Sequence, residues 1–148
     1  MNNISYKKII EEKGSIIINP VGTSMLPLIR QDIDTVLLSK ITTPLKKYDV
    51  VLFDRPDGKH VLHRIIRVRK NSFDICGDNQ VRVEHGVTRD MIIARMEGVY
   101  REEDFLPVTD PKYIEYSIKR VRSRKWRFIK WVIPAVFRKI FKKKKRAN

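Results

Sequence analysis

The chain is short of the residues that make cross-links and metal centres. Its 148 residues hold one cysteine, Cys76, so no disulfide can close within the chain, and a reducing compartment is the natural expectation. The three histidines, His60, His63 and His85, are scattered and share no paired ligand spacing with Cys76, which argues against a zinc site. No cofactor is implied. Long apolar runs are missing too. Met1 to Lys8 contain no apolar core of signal-peptide length, so no secretory leader is expected. Near the other end the longest uncharged run, Trp131 to Phe137, is seven residues. A bilayer span needs roughly 17–25 mostly apolar residues. No internal repeat stands out.

Cationic charge is abundant and unevenly placed. The net charge is +15, yet residues 1–111 carry 17 Lys and Arg against 16 Asp and Glu, while residues 112–148 carry 15 against one. A nearly neutral body therefore bears a basic tail, with the division at Thr109-Asp110-Pro111, giving a domain over 1–110 and a tail over 111–148. Such a tail suits an anionic surface, either lipid or nucleic acid. The 42% hydrophobic fraction is enough for a packed core.

The body reads as mainly β. A first helix over Ile4–Lys13 is predicted, with Gly14 as its C-terminal stop. Strands are predicted at Ser15–Asn19, Asp34–Ser39, Tyr48–Phe53, His60–Val68, Ser72–Cys76 and Met91–Tyr100, each short, rich in Val and Ile, and bounded by Pro, Gly, Asp or Asn. Pro56-Asp57-Gly58 joins two of them as a hairpin. In the tail, Asp110 is a candidate N-cap with Pro111 at the first helical position. The helix would run through Arg127, with a kink or restart at Pro134.

Three segments carry residues suited to chemistry. Ser24 lies in Val21-Gly22-Thr23-Ser24-Met25-Leu26-Pro27, where a glycine turn and a nearby proline can expose a hydroxyl and its neighbouring amides. A serine hydroxyl needs a base beside it and donors for the developing oxyanion. His63, in Val61-Leu62-His63-Arg64-Ile65, would share a strand face with Val61 and Ile65, shielded from water, whereas His60 would point the other way. His60 and His85 have polar surroundings and read as surface residues. Asp78, in Gly77-Asp78-Asn79, could orient an imidazole. Each segment alone has a plainer reading, as a capped turn, a core histidine and a common turn.

Taken together, these segments resemble a family. Gly22-Thr23-Ser24-Met25-Leu26-Pro27 looks like the nucleophile box of type I signal peptidases and the related LexA-type self-cleaving proteins. Asp49-Val50-Val51-Leu52-Phe53 resembles the Gly-Asp-Val-Val strand of that superfamily, with Tyr48 in the glycine's place. Val61-Leu62-His63-Arg64-Ile65 resembles the box of the general base, and Gly77-Asp78-Asn79 the Gly-Asp-Asn box after it. The likeness spans about Asn19 to Gly98. It implies a small LexA- and signal-peptidase-like β-barrel-type domain with serine endopeptidase activity on a peptide or leader sequence. A histidine base points to the endoplasmic-reticulum and archaeal branch, with Ser24 attacking the scissile carbonyl and His63 accepting its proton. The acid is Asp78 by first choice and Glu84 by second. The histidine branch has an acid six residues after the Gly-Asp-Asn acid, and Gly86 matches the glycine that follows it.

Two departures accompany the likeness. The family's side-chain oxyanion donor two residues before the nucleophile is replaced by Gly22, so that donor is absent unless Thr23 substitutes, and the Ser24 amide remains. The segment before the serine is polar-leaning where signal peptidases have a transmembrane anchor. The tail offers a substitute, because from Trp126 to Phe141 aromatic and aliphatic residues alternate with Arg and Lys, ending in Lys142-Lys143-Lys144-Lys145-Arg146. That pattern suits a helix lying in the headgroup region of the inner leaflet, giving a cytoplasmic, peripherally membrane-associated enzyme. Nucleic acid is the rival partner. A self-cleaving LexA-like regulator is the second functional reading, weakened by the lack of a DNA-binding domain before the serine. A non-enzymatic binding module is the third.

Overall fold

Short local devices bound the first helix. In α1 (Tyr6–Lys13) the Ser5 hydroxyl oxygen accepts the Lys8 amide at 3.4 Å, and Gly14 closes the helix at φ +77, its amide donating to the Ile10 carbonyl. Ile10 is the residue that α1 buries. A computed structural model describes residues 5–144, and the side chains of the last helix as far as Pro134. Ile4, where the helix was expected to start, and the closing Lys145-Arg146 lie outside the described residues.

The protein is mainly β. Eight strands follow α1: β1 (Ser15–Ile18), β2 (Asp34–Ser39), β3 (Val50–Asp54), β4 (His60–Val68), β5 (Phe73–Cys76), β6 (Glu84–Val87), β7 (Ile92–Arg101) and β8 (Asp104–Pro107). They form one antiparallel sheet in the order β1-β2-β7-β3-β4-β5-β6, with β8 paired to β7. Six of these strands lie where the Val- and Ile-rich runs predict them. The other two, β6 and β8, were not expected. Each is four residues long, and the sequences Glu84-His85-Gly86-Val87 and Asp104-Phe105-Leu106-Pro107 show little apolar alternation.

Central position explains the composition of β3. Val50 and Leu52 enter one apolar cluster with Ile10, Met25, Leu38 and Met96, while Val51 and Phe53 enter a second with Ile65, Ile75 and Ile92. A strand covered on both faces needs apolar residues at consecutive positions, which Val50-Val51-Leu52-Phe53 supplies. The strand begins at Val50, two residues later than predicted, because Tyr48 takes φ +84 and leaves the extended region. The Tyr48 amide still donates to the Ile65 carbonyl at 2.8 Å, and Asp49 and Ile65 are linked by a further bond of 2.8 Å, so the positive φ is held in place.

The chain turns from sheet to helix at Asp110, whose carboxylate accepts the Lys112 amide at 2.7 Å with Pro111 at the first helical position. α2 (Pro111–Arg122) buries Tyr113 and Ser117 against the sheet. The helix ends before the predicted Arg127. Ser123 interrupts it, the hydroxyl donating to the Arg120 carbonyl at 3.2 Å. α3 (Arg124–Lys144) then continues through Pro134, so the restart falls at Ser123 rather than at the proline. Among the described residues no helix is long and apolar enough to cross a membrane.

The left-handed backbone at Tyr48 gives a direct stability test. Glycine tolerates that region and alanine does not, so Tyr48→Gly should exceed Tyr48→Ala by about 1 kcal/mol in denaturant unfolding, glycine's unfolded-state entropy included. Equal stabilities would show that the strain is absent.

Candidate active site

Neighbouring side chains on a strand point to opposite faces, and on β4 this separates two jobs. His63 faces the second apolar cluster. It is 1% exposed, opposite Val51 in the strand pairing, and its ring lies 6.2 Å from that of Phe53. Arg64 faces the other way, towards α2. His60 is exposed and paired with Asp54, and His85 is exposed and paired with Asp74.

The acid that meets His63 is Glu84. His63 Nδ1 lies 2.9 Å from Glu84 Oε1. Glu84 is held in turn by Arg55, whose Nε and Nη2 donate to its two carboxylate oxygens at 2.7 and 2.6 Å. Arg55 comes from the β3–β4 hairpin, and Glu84 from the edge strand β6. There the pairing register with β5 slips, so that His85 and Gly86 together oppose one residue, and Gly86 takes φ +74. Such a bulge re-aims the side chains beside it.

Asp78, the first choice from the sequence, has another partner. Arg64 Nε and Nη2 grip its two oxygens at 2.8 Å each, and Tyr116 adds its hydroxyl at 3.0 Å. Both ends of this ion pair are almost wholly buried. Asp78 therefore belongs to the Arg64 face of β4 and orients the Gly77-Asp78-Asn79 loop, while the imidazole on the opposite face is bonded to Glu84.

That loop brings the serine segment to the histidine. Met25, Leu28 and Ile29 are anchored in the first apolar cluster, which leaves the preceding Ser24 half-buried at the surface. The Asn79 amide donates to the Ser24 carbonyl at 2.7 Å, and the Asn79 side chain donates to the Thr23 carbonyl at 3.2 Å. Gly77 marks the convergence. A Cβ placed there would sit 2.7 Å from the Ser24 carbonyl oxygen, 3.0 Å from His63 Nε2 and 3.1 Å from Gln80 Oε1. No side chain fits, so glycine is required for this close approach. Gly22, at φ +103, donates its amide to Gln31 Oε1 at 2.7 Å.

The electrostatics favour a neutral imidazole. Burial lowers the His63 pKa below 6.5, and the opposing pull of Glu84 only partly offsets it. For Glu84, burial acts to raise the pKa, but hydrogen bonds from Arg55 and the adjacent charges outweigh it and keep the carboxyl below 4.5. An ionised Glu84 against Nδ1 favours the Nδ1–H tautomer, leaving the lone pair on Nε2, which lies against Gly77. Nε2 and the Ser24 carbonyl oxygen thus border the same glycine, but among the described residues the Ser24 hydroxyl makes no hydrogen bond to His63; general-base catalysis requires that hydroxyl to come within hydrogen-bond reach of Nε2. Among the described residues no cluster of His, Cys, Asp and Glu is suited to hold a metal.

Comparison of the chain with family models, with curated proteins and with solved structures returned no match.

Sequence reasoning missed Arg55 as the clamp on Glu84 and Gln80 as a side chain that crowds Gly77. Neither has a local signature: the role of Arg55 depends on Glu84, 29 residues further on, and that of Gln80 on the fold of the loop around Gly77. The Gly-Asp-Asn box makes Asp78 the more visible acid in the sequence, but the face alternation of β4 gives it to Arg64 and leaves Glu84 to His63.

A pH dependence follows. A histidine with a depressed folded pKa binds its proton first in the unfolded chain, so stability falls as pH drops from about 6.5 through the folded value, by at most about 1.4 kcal/mol per pH unit for one proton. Urea unfolding at pH 7 and about pH 5 should show this slope in the wild type and a flatter one in His63→Gln. Identical slopes would mean that His63 is not held neutral.

Proposed function

We propose that this protein is a serine endopeptidase of the signal-peptidase and LexA-like type, with a β-barrel-type catalytic body and a basic tail. The reading rests foremost on one observation: His63 is held through Nδ1 by Glu84, while Nε2 and the Ser24 carbonyl oxygen both border Gly77. Two further features agree with it. Tyr48 stands where the resembling family has glycine, and its backbone is in the left-handed region that glycine favours. The Gly-Asp-Asn segment reaches the serine turn through Asn79.

In this reading the Ser24 hydroxyl attacks the scissile carbonyl carbon as its proton passes to His63 Nε2. Glu84 stabilises the imidazolium that forms. The Ser24 amide is the oxyanion donor, since the Gly22 amide is committed to Gln31. Collapse of the tetrahedral intermediate breaks the C–N bond, and His63 returns the proton to the leaving amine. Water, deprotonated by the same imidazole, then releases the acyl group. The self-cleaving alternative needs a scissile step that can enter this site. The chain has a Cys-Gly step at Cys76-Gly77, but Cys76 is 3% exposed at the end of β5 and Gly77 already packs on His63. Cleavage in trans is the better supported mode.

A panel of variants separates the roles. With leader-like peptides read by mass spectrometry, Ser24→Ala should abolish cleavage, while His63→Gln and Glu84→Gln should each lower kcat by about 10²–10⁴ without loss of fold. Asp78→Asn should instead destabilise the fold, by about 3 kcal/mol or more, because it leaves Arg64 buried without its counter-charge. Cleavage undiminished in Ser24→Ala would reject the mechanism.

The tail is assigned to the membrane surface. Trp126 and Trp131 are 70% and 75% exposed, with Phe128, Ile129 and Ile133 also exposed among the Arg and Lys of α3. Large aromatic residues are costly to leave in water and favourable at the headgroup level. In co-sedimentation the full chain should bind phosphatidylglycerol vesicles but not phosphatidylcholine vesicles, and Trp126→Ser with Trp131→Ser should weaken binding about tenfold or more. No binding by the wild type would remove the anchor from this reading.

A further inference from the structure

A cleft of about 960 Å³ opens beside Glu84, between loop 79–85, the β3–β4 turn and the two C-terminal helices. Its cations are Arg55, Arg82, Arg120, Arg127 and Lys130, with Trp131 on one wall. Two carboxylates also face it, and both already have partners: Asp57 has Lys59 at 3.6 Å, and Glu84 has Arg55 at 2.6 Å. Arg82, Arg120, Arg127 and Lys130 form no ion pair among the described residues.

The placement of Arg120 and Arg127 is the informative feature. Arg120 Nε donates to the Asp78 carbonyl oxygen at 2.6 Å, and Arg127 Nη1 donates to the same oxygen at 2.5 Å. Arg127 Nη2 donates to the Arg120 carbonyl at 3.1 Å. Two like charges thus share one neutral acceptor, and Arg127 Nε is buried with no hydrogen-bond partner among the described residues. Burial and the nearby Arg120 both lower the Arg127 pKa from its ordinary value. A carboxylate accepting from these groups would add a counter-charge to that of the nearby Asp78, with charge-assisted hydrogen bonds to part-buried guanidinium groups.

We propose that this cleft is a subsite for a carboxylate of the peptide substrate, an acidic side chain close to the scissile bond, bound by Arg120 and Arg127 with Arg82 and Lys130 around it. The proposal rests on the peptidase reading, since Glu84 is both a wall of the cleft and the partner of His63. A single carboxylate fits better than an extended polyanion. The recess is bounded by the 79–85 loop, the β3–β4 turn and the two helices, so it encloses a compact anion while an extended chain of phosphates would meet it at few points.

The test uses the full chain carrying Ser24→Ala, which retains the cleft without the nucleophile. Fluorescein-labelled hexapeptides with two central Glu or two central Gln are titrated by anisotropy. The Glu peptide should bind about tenfold tighter or more, as two charge-assisted hydrogen bonds imply. The preference should fall below about threefold in Arg127→Met and in the double variant Arg82→Gln with Lys130→Gln. The side chains of Arg82 and Lys130 make no hydrogen bond among the described residues, so the double variant probes the cleft without disturbing the Asp78 loop. Equal affinity for the two peptides, or a preference unchanged in both variants, overturns the proposal. Displacement of the Glu peptide by oligouridylate at lower concentration than by unlabelled Glu peptide would assign the cleft to nucleic acid and overturn it as well. Failure of the peptidase reading registers separately, as no cleavage of either peptide by the wild type.

Discussion

The buried ion pair between Arg64 and Asp78 is the interaction on which the rest of the site depends. Among the described residues Arg64 is the largest fully buried side chain, and five of its contacts are hydrogen bonds: two to Asp78, and one each to the Tyr48 carbonyl, the Tyr113 hydroxyl and the Ser117 hydroxyl. One guanidinium thus ties β4 to the loop after β5, to the turn before β3 and to α2. Burying two charges is costly, and the cost is offset only when geometry and remaining donors are satisfied, as they are here. Removing either partner strands a charge in the interior. The loop positioned by this pair carries Asn79, which holds the Ser24 carbonyl, and Gly77, which lets His63 Nε2 approach.

The period of a β-strand does the rest. His63 and Arg64 are adjacent in sequence and point to opposite faces of the sheet, so each collects its own acid. Asp78 is taken by the arginine and Glu84 by the histidine. The two acids also differ in their supporting cations. Asp78 neutralises a charge that is always present, and this stabilises the fold. Glu84, kept ionised by Arg55, faces an imidazole that burial keeps neutral, which leaves a proton acceptor near neutral pH. Swapping the acids would leave a buried guanidinium and a buried imidazole each with the wrong neighbour.

The basic segment is more than an appendage with one duty. Its first helix is part of the packed body, since Tyr113 and Ser117 are buried on Arg64. Arg120 and Arg127 reach back to the Asp78 carbonyl and line the cleft beside Glu84. On the same helix as Arg127, Trp126 and Trp131 are exposed, as are Lys125 and Lys130. Cationic residues that look alike in a charge count therefore divide by position into those that brace the loop, those that face the cleft and those open to a surface. Charge composition cannot make that division, because it depends on which side of each helix meets the sheet.

Much of the fold was legible in the chain because the signals are local. Apolar runs bounded by turn residues mark six strands, Gly14 ends α1, and Asp110-Pro111 starts α2. The strands β6 and β8 escaped because four residues with one glycine or proline carry no readable period; they are stabilised by pairing with neighbours already in place. The candidate site divides in the same way. The sequence by itself determined that Ser24, His63 and the Gly77-Asp78-Asn79 box are present in order, and that His63 would turn to the apolar face of its strand. Only the tertiary structure decided which acid the imidazole meets, what holds that acid, and why position 77 must be glycine. Those are questions of distance between segments far apart along the chain, and they are settled by sheet register and the burial of Arg64, neither of which leaves a local trace in the order of residues.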